Sequence, residues 1–329
     1  MDLLLPTHTD VMAAAKRIKD YVPSTPILRS ETLDQIAGAK LIIKAECLQQ
    51  TGSFKLRGAT NRLLQIPDDR RSSGVVAFSS GNHAQGVARA ARLLDIPALI
   101  VMPKDAPEVK IEGVESDGAE VHLYDRETEN RETIAARYAE ERGAVLVPSY
   151  DDPMIIAGQG TCGLEFAKQA DAAGERLDHL ICCTGGGGLI SGICLALTET
   201  SPATRIWTSE PEGHEDWHRS LEAGTIKSNM PGTRSVCDAI LTPQPGAITW
   251  AIGSRYLSGS LVVTDQHAFE AMRLAFRQLH LVVEPGGAVA LAAALFRLPE
   301  HIKGKTVGVV LTGGNVDPRL FADVLTRSV

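Results

Sequence analysis

The chain is as informative in what it lacks as in what it carries. No apolar run in its 329 residues approaches the ~20 needed to cross a bilayer. The first six residues, MDLLLP, have no basic region ahead of an apolar stretch, so no secretory leader and no membrane partner are expected. Cysteine occurs six times (Cys47, Cys162, Cys182, Cys183, Cys194, Cys237) but never as C-x-x-C. Several of these lie in apolar segments, which predicts buried, reduced thiols in the cytoplasm rather than a disulfide framework. Basic residues do not dominate: 33 Lys and Arg stand against 40 Asp and Glu, a net charge of −7 that argues against nucleic acid as a partner. No repeat of roughly 20–50 residues and no low-complexity linker divides the sequence.

What is present is the composition of an ordinary globular protein, 44% apolar and 22% charged, long enough for two domains or one large α/β unit. Apolar runs of strand length fall at 41–44, 75–79, 98–102, 121–124, 144–147, 179–183, 205–209, 261–264 and 307–311. Helix-length patterns such as 84–94, 131–141 and 269–279 lie between them. This alternation predicts βαβ units, parallel sheets and helices on both faces.

The chemistry concentrates around residues 49–61, QQTGSFKLRGATN. A strand at 41–45 runs in and a helix at 56–65 leaves, so Lys55 stands at a helix start after a Gly-Ser bend. Unpaired N–H groups and the helix dipole favour an anion there, and a cation gains nothing. Beside apolar Phe54 and Leu56, Lys55 is expected to have a lowered pKa and a nucleophilic neutral amine. Taken alone, a lysine on an exposed first turn is usually no more than solvated.

Four further stretches follow strands. Ser79-Ser80-Gly81-Asn82-His83 opens a helix, where short polar side chains either cap it or leave its N–H groups for an anion. Thr184-Gly185-Gly186-Gly187-Gly188-Leu189 discards four side chains at a strand-to-helix turn, the way backbone N–H groups come to wrap a phosphate. No Lys-Ser/Thr follows, so it is not a P-loop. Glu210, His214 and Asp216 lie on an acidic loop that is either solvated or a hard-oxygen site for Mg²⁺ or Ca²⁺. Thr312 ends the last strand, and Glu284-Pro285 starts another helix. Gly158–Gly163 fits G-x-G-x-x-G in form and supports a competing nicotinamide-binding Rossmann oxidoreductase. The apolar run before it is short, and a helix N-terminus packed tightly through glycines is the expectation.

In order and spacing these motifs resemble the threonine dehydratase and serine racemase family of pyridoxal-phosphate enzymes, fold type II, over almost the whole chain. The resemblance implies two α/β domains with parallel sheets: a large cofactor-binding domain of residues 1–76 and 149–329, a small mobile domain of 77–148, and a homodimer. It implies that Lys55, flanked by Phe54, forms the Schiff base with pyridoxal phosphate and is the Cα base. Ser79, Ser80, Gly81 and His83 hold the substrate carboxylate in that picture, and Asn82 reaches the cofactor's 3′-oxygen. Ser80 matches the serine that racemases place across the ring from the lysine, where many dehydratases carry Ala. Gly185, Gly186, Gly187, Gly188 and Leu189 cradle the phosphate, Glu284 lies near the cofactor, and Thr312 faces the pyridine nitrogen. A hydroxyl cannot hold that nitrogen protonated, which suits elimination better than transamination. A divalent cation falls to Glu210, the His214 carbonyl and Asp216. The implied activity is dehydration of a small β-hydroxy amino acid, L-threonine or L-serine, to a 2-oxo acid and ammonia. Serine racemisation and 3-hydroxyaspartate dehydration are the alternatives within the class. The acidic stretch 111–119 departs from the family by lacking an aromatic residue before Gly118-Ala119, which removes the basis for a shared effector contact there.

Overall fold

The computed structural model describes residues 3–106 and 108–326. Its strands, in chain order, are β1 (Ile27–Leu28), β2 (Lys40–Ala45), β3 (Val75–Phe78), β4 (Ala98–Pro103), β5 (Glu120–Tyr124), β6 (Val145–Leu146), β7 (His179–Cys183), β8 (Arg205–Pro211), β9 (Leu257–Val263) and β10 (Thr306–Leu311). They form a six-stranded sheet, β1-β2-β10-β7-β8-β9, and a four-stranded sheet, β5-β4-β3-β6. Neighbours are parallel except β1, which pairs antiparallel with β2 and was not apparent in the sequence pattern. Two residues are too few to show a period.

Alternation within each strand decides which layer a side chain joins. In β2, Leu41 and Ile43 join one core and Ile42 the other. Val307 and Val309 against Val310 in β10, and Ile181 against Leu180 in β7, repeat the division. Helices Asp265–Leu279 and Pro285–Phe296 cover the first face, and Pro153–Ala172 and Gly188–Thr200 the second. The smaller sheet is split the same way, Val75 and Ile100 facing one layer, Val76 and Leu99 the other. Each fully buried Leu, Ile or Val contributes ~1.5–3 kcal/mol, so both sheets are held from two sides.

The glycines 158–163 lie inside the 20-residue helix Pro153–Ala172, not at its start. Asp152 accepts from the N–H groups of Met154 and Ile155 with Pro153 at the first position, so the helix begins five residues earlier than expected. The expectation of tight packing holds: a side-chain carbon on Gly158 would lie 2.7 Å from the Gly58 Cα, and one on Gly160 2.6 Å from the Gly192 carbonyl. That removes the dinucleotide-loop geometry on which the Rossmann alternative relied. A further helix, His8–Ile18, starts on the Thr7–Asp10 capping box and was missed by the pattern reading. In the departing stretch, Asp117 takes ion pairs from Arg89 and Arg92.

Parallel strands bring their C-terminal ends to one edge, where loops are free to carry chemistry. From those ends leave the segment to Lys55 (β2), Ser79–His83 (β3), the glycine loop (β7), the turn to Asp216 (β8) and Thr312 (β10), while Glu210, expected on a loop, lies within β8 one residue from its end.

Candidate active site

One cavity of about 340 Å³ is lined by Lys55, the 79–83 loop, Gly185–Leu189 and Thr312. Lys55 is the first residue of the helix Lys55–Leu63, as expected. Its segment is tied to the end of β10: Ser53 bridges Gly313, and the Phe54 N–H donates to the Thr312 carbonyl at 3.1 Å. The Lys55 ammonium donates to the Ser149 carbonyl at 2.9 Å and lies 5.3 Å from the centre of the Phe54 ring. Burial, with no carboxylate beside it, lowers its pKa to about 8.

The glycine loop is shaped by what presses on it. Gly187 has φ +95°, and a side-chain carbon there would meet Trp217 at 2.2 Å. One on Gly186 would enter the Tyr150 ring at 2.4 Å. Thr249 Oγ1 donates to the Gly186 carbonyl at 2.7 Å, and the Trp217 indole N–H to that of Gly185 at 2.7 Å. With carbonyls turned outward to these partners, the helix Gly188–Thr200 presents its N-terminus, backed by buried Leu189, to the cavity.

Asn82 is less free than expected. Its amide donates to Glu284 Oε1, and its oxygen accepts from Asn315 at 2.7 Å. One N–H remains to meet a ligand. Glu284 is buried with Oε2 unpartnered, and desolvation raises its pKa to about 7. Ser80 lines the cavity with Lys55, while Ser79 Oγ accepts the Gly81 N–H at 3.2 Å. His83 is bound through Nε2 to the Val147 carbonyl at 3.0 Å, and burial beside the Lys55 charge lowers its pKa to about 3. Its ring is therefore neutral at physiological pH. Thr312 Oγ1 lies 2.9 Å from Cys183 Sγ.

Glu210 and Asp216 come together at the end of β8. Glu210 accepts the N–H groups of Trp217 (2.8 Å) and His218 (2.9 Å), and Asp216 Oδ1 accepts from Asn229 at 2.7 Å. Burial, then Asp216, raises the Glu210 pKa to about 8; burial raises that of Asp216 to about 7. Glu215 Oε2 and Asp216 Oδ2 are buried without partners. Among the described residues no three His, Cys, Asp or Glu side chains converge as a metal cluster, so a cation here would need carbonyl or water oxygens as well.

Residues 18–313 match the family described as pyridoxal-phosphate dependent enzymes. The chain belongs to this family. It is 41% identical to the L-threo-3-hydroxyaspartate ammonia-lyase of Saccharomyces cerevisiae over 98% of both chains. To the enzyme of the same description from Pseudomonas sp it is 44% identical, over 98% of this chain and 99% of that one. The maize serine racemase structure superposes with a TM-score of 0.92 at 37% identity, covering 97% of this chain and 96% of that one. The family's cofactor is pyridoxal phosphate, and the cavity fits it: an amine of lowered pKa stands for the aldehyde, and a glycine turn that no side chain can fill stands for the phosphate.

Sequence reasoning passed over Lys110, Arg131, Ser149, Tyr150, Cys183 and Asp238, which also line this cavity. Cys183, the last residue of β7 before the glycine loop, and Ser149 and Tyr150, on the loop after β6, had a signal in their position. The others reach the site through tertiary packing.

Proposed function

We propose that this member of the pyridoxal-phosphate family eliminates water from a β-hydroxy amino acid, and that the enamine released takes up water to give a 2-oxo acid and ammonia. The observation that carries the reading is Lys55: a half-buried amine whose pKa desolvation lowers to about 8, in the cavity that also holds the glycine turn. Bound pyridoxal phosphate supplies an aldehyde for amino groups and a ring that delocalises the electron pair left when a Cα proton departs. The chain's own residues do the rest. At neutral pH an appreciable share of Lys55 is uncharged and able to take that proton, and the Ser149 carbonyl holds the nitrogen in place. N–H groups at the start of the helix Asn82–Leu93, with Ser79 and Ser80, receive the α-carboxylate. Thr312, which lines the cavity, would offer the ring nitrogen of the bound cofactor a hydroxyl that cannot retain charge there as an Asp would, which favours prompt loss of the substrate hydroxyl. Glu210, the His214 carbonyl and Asp216 would hold Mg²⁺ or Ca²⁺. Because Glu210 caps the helix of Trp217, and Trp217 braces Gly185 and Gly187, a cation there would stiffen the glycine loop from behind.

The substrate we favour is 3-hydroxyaspartate, ahead of serine and threonine. Two cations other than Lys55, Lys110 and Arg131, line the cavity and suit a second carboxylate. Racemisation is the second reading, favoured by Ser80, a hydroxyl that lines the same cavity as Lys55. The test is a panel of L-threo-3-hydroxyaspartate, L-serine and L-threonine assayed for 2-oxo acid and ammonia. No turnover of any of them by cofactor-loaded protein refutes the reading.

A further inference from the structure

Strands β7 and β10 lie side by side with Val310 opposite Cys182, so Cys183 and Thr312, just beyond, both reach the cavity. Each is nearly buried, at 5% and 4% exposed. Cys183 Sγ lies 2.9 Å from Thr312 Oγ1, and either atom can be the donor. Among the described residues the thiol is the only hydrogen-bond partner of that hydroxyl. The backbone around it is fixed: the Thr312 carbonyl accepts the Phe54 N–H at 3.1 Å, and that of Gly313 accepts the Glu284 N–H at 3.0 Å. What stays free to turn is the hydroxyl proton.

A hydroxyl has one proton and two lone pairs; a thiol has one proton and accepts weakly. The pair therefore has two arrangements. If Thr312 donates to sulfur, the cavity meets a lone pair, and only a protonated ring nitrogen can bond to it. If Cys183 donates to Thr312, the cavity meets an O–H, which an unprotonated nitrogen accepts. We propose that Cys183 is a positioning residue for the cofactor ring: its S–H donates to Thr312 Oγ1 and turns the Thr312 proton onto an unprotonated ring nitrogen. The inference deepens the reading of this cavity as the pyridoxal-phosphate site and rests on Thr312 facing that nitrogen. A pyridine nitrogen is a better acceptor than a thiol sulfur, so in the loaded protein the O–H leaves sulfur for nitrogen, and the oxygen takes the S–H in return. Each proton is used once and none is transferred. Hydrogen bonds in such a chain polarise one another, so the thiol strengthens the contact that the ring receives.

The test uses wild type, Cys183→Ser, Cys183→Ala and Thr312→Val, each with and without pyridoxal phosphate. The first readout is the infrared S–H stretching band that responds to loading, since among the described residues Cys183 is the one cysteine lining the cavity. A thiol that becomes a donor absorbs at lower frequency. Loading should lower the wild-type band and leave it in place in Thr312→Val. The second readout is the nitrogen-15 resonance of ring-labelled cofactor. Wild type and Cys183→Ser, whose hydroxyl donates as the thiol does, should show a hydrogen-bonded, unprotonated pyridine. In Cys183→Ala the resonance should move towards that of a free pyridine, and the cofactor Kd should rise about fivefold, against less than about twofold in Cys183→Ser. A wild-type band that stays or rises on loading overturns the proposal, as does a resonance in the pyridinium range. So does Cys183→Ser matching Cys183→Ala in both resonance and affinity, which would reduce Cys183 to filling space. The wild-type band is read without any variant, so a substitution that fails to fold leaves the proposal decided. If wild type turns over no β-hydroxy amino acid, the lyase reading fails, while these readouts, which need no turnover, still settle the role of Cys183.

Discussion

Removing the charge of Lys55 should make the cofactor-free protein more stable at neutral pH. The amine's pKa falls from 10.5 to about 8 on folding. A shift of that size corresponds to about 3 kcal/mol of folding free energy when the unfolded lysine is fully charged. Lys55 is partly exposed through the cavity mouth, and allowing for screening there leaves about 2 kcal/mol. The sign follows from proton binding: between pH 8 and 10.5 the unfolded state holds more protons than the folded one, so stability rises with pH across that window. Below the folded pKa the cost is complete, and above the unfolded pKa it is gone. Lys55→Met keeps the stem and discards the charge. Calorimetry on both cofactor-free proteins should show the variant about 3 °C more stable at pH 7 and the difference closing by about pH 10.5. A variant that is less stable at pH 7, or equally stabilised at both pH values, would show that desolvation of this amine is not what depresses its pKa.

Ser80→Ala should lower D-serine formation from L-serine at least tenfold relative to 2-oxo acid formation, read by chiral chromatography beside a keto-acid assay. A wild type that racemises and a variant that does so equally well would remove Ser80 from the face opposite Lys55. Exhaustive EDTA treatment should lower the unfolding temperature, with Mg²⁺ or Ca²⁺ restoring it, since a cation on Glu210 and Asp216 binds the folded state alone. An unchanged temperature, with no metal by elemental analysis, returns those carboxylates to a purely structural role. Gly187→Ala combines a backbone at φ +95° with a contact 2.2 Å from Trp217. It should destabilise the protein by about 2–4 kcal/mol and weaken cofactor retention, measured by unfolding and by bound absorbance after dialysis.

Sequence alone determined the layered α/β plan and the order of the site's parts. Strand-length apolar runs and the glycine, Ser-Asn and Phe-Lys segments after them are local patterns, and local patterns survive without a fold. It also placed Lys55 on a first helical turn, because a strand, a Gly-Ser bend and a helix are read from neighbours a few residues apart. It misplaced the helix around Gly158–Gly163, since Asp152-Pro153 outweighed a glycine motif whose real purpose is close approach to Gly58 and Gly192. Only the tertiary structure decided the electrostatics. The pKa of Lys55 depends on burial by segments far along the chain, and that of Glu284 on burial beside Asn82, 202 residues away. Lys110 and Asp238 are 128 residues apart and carry no spacing rule, so nothing short of the packed molecule could set that cation against Gly81. Desolvation and through-space charge fall off with distance in space, and the sequence records only distance along the chain.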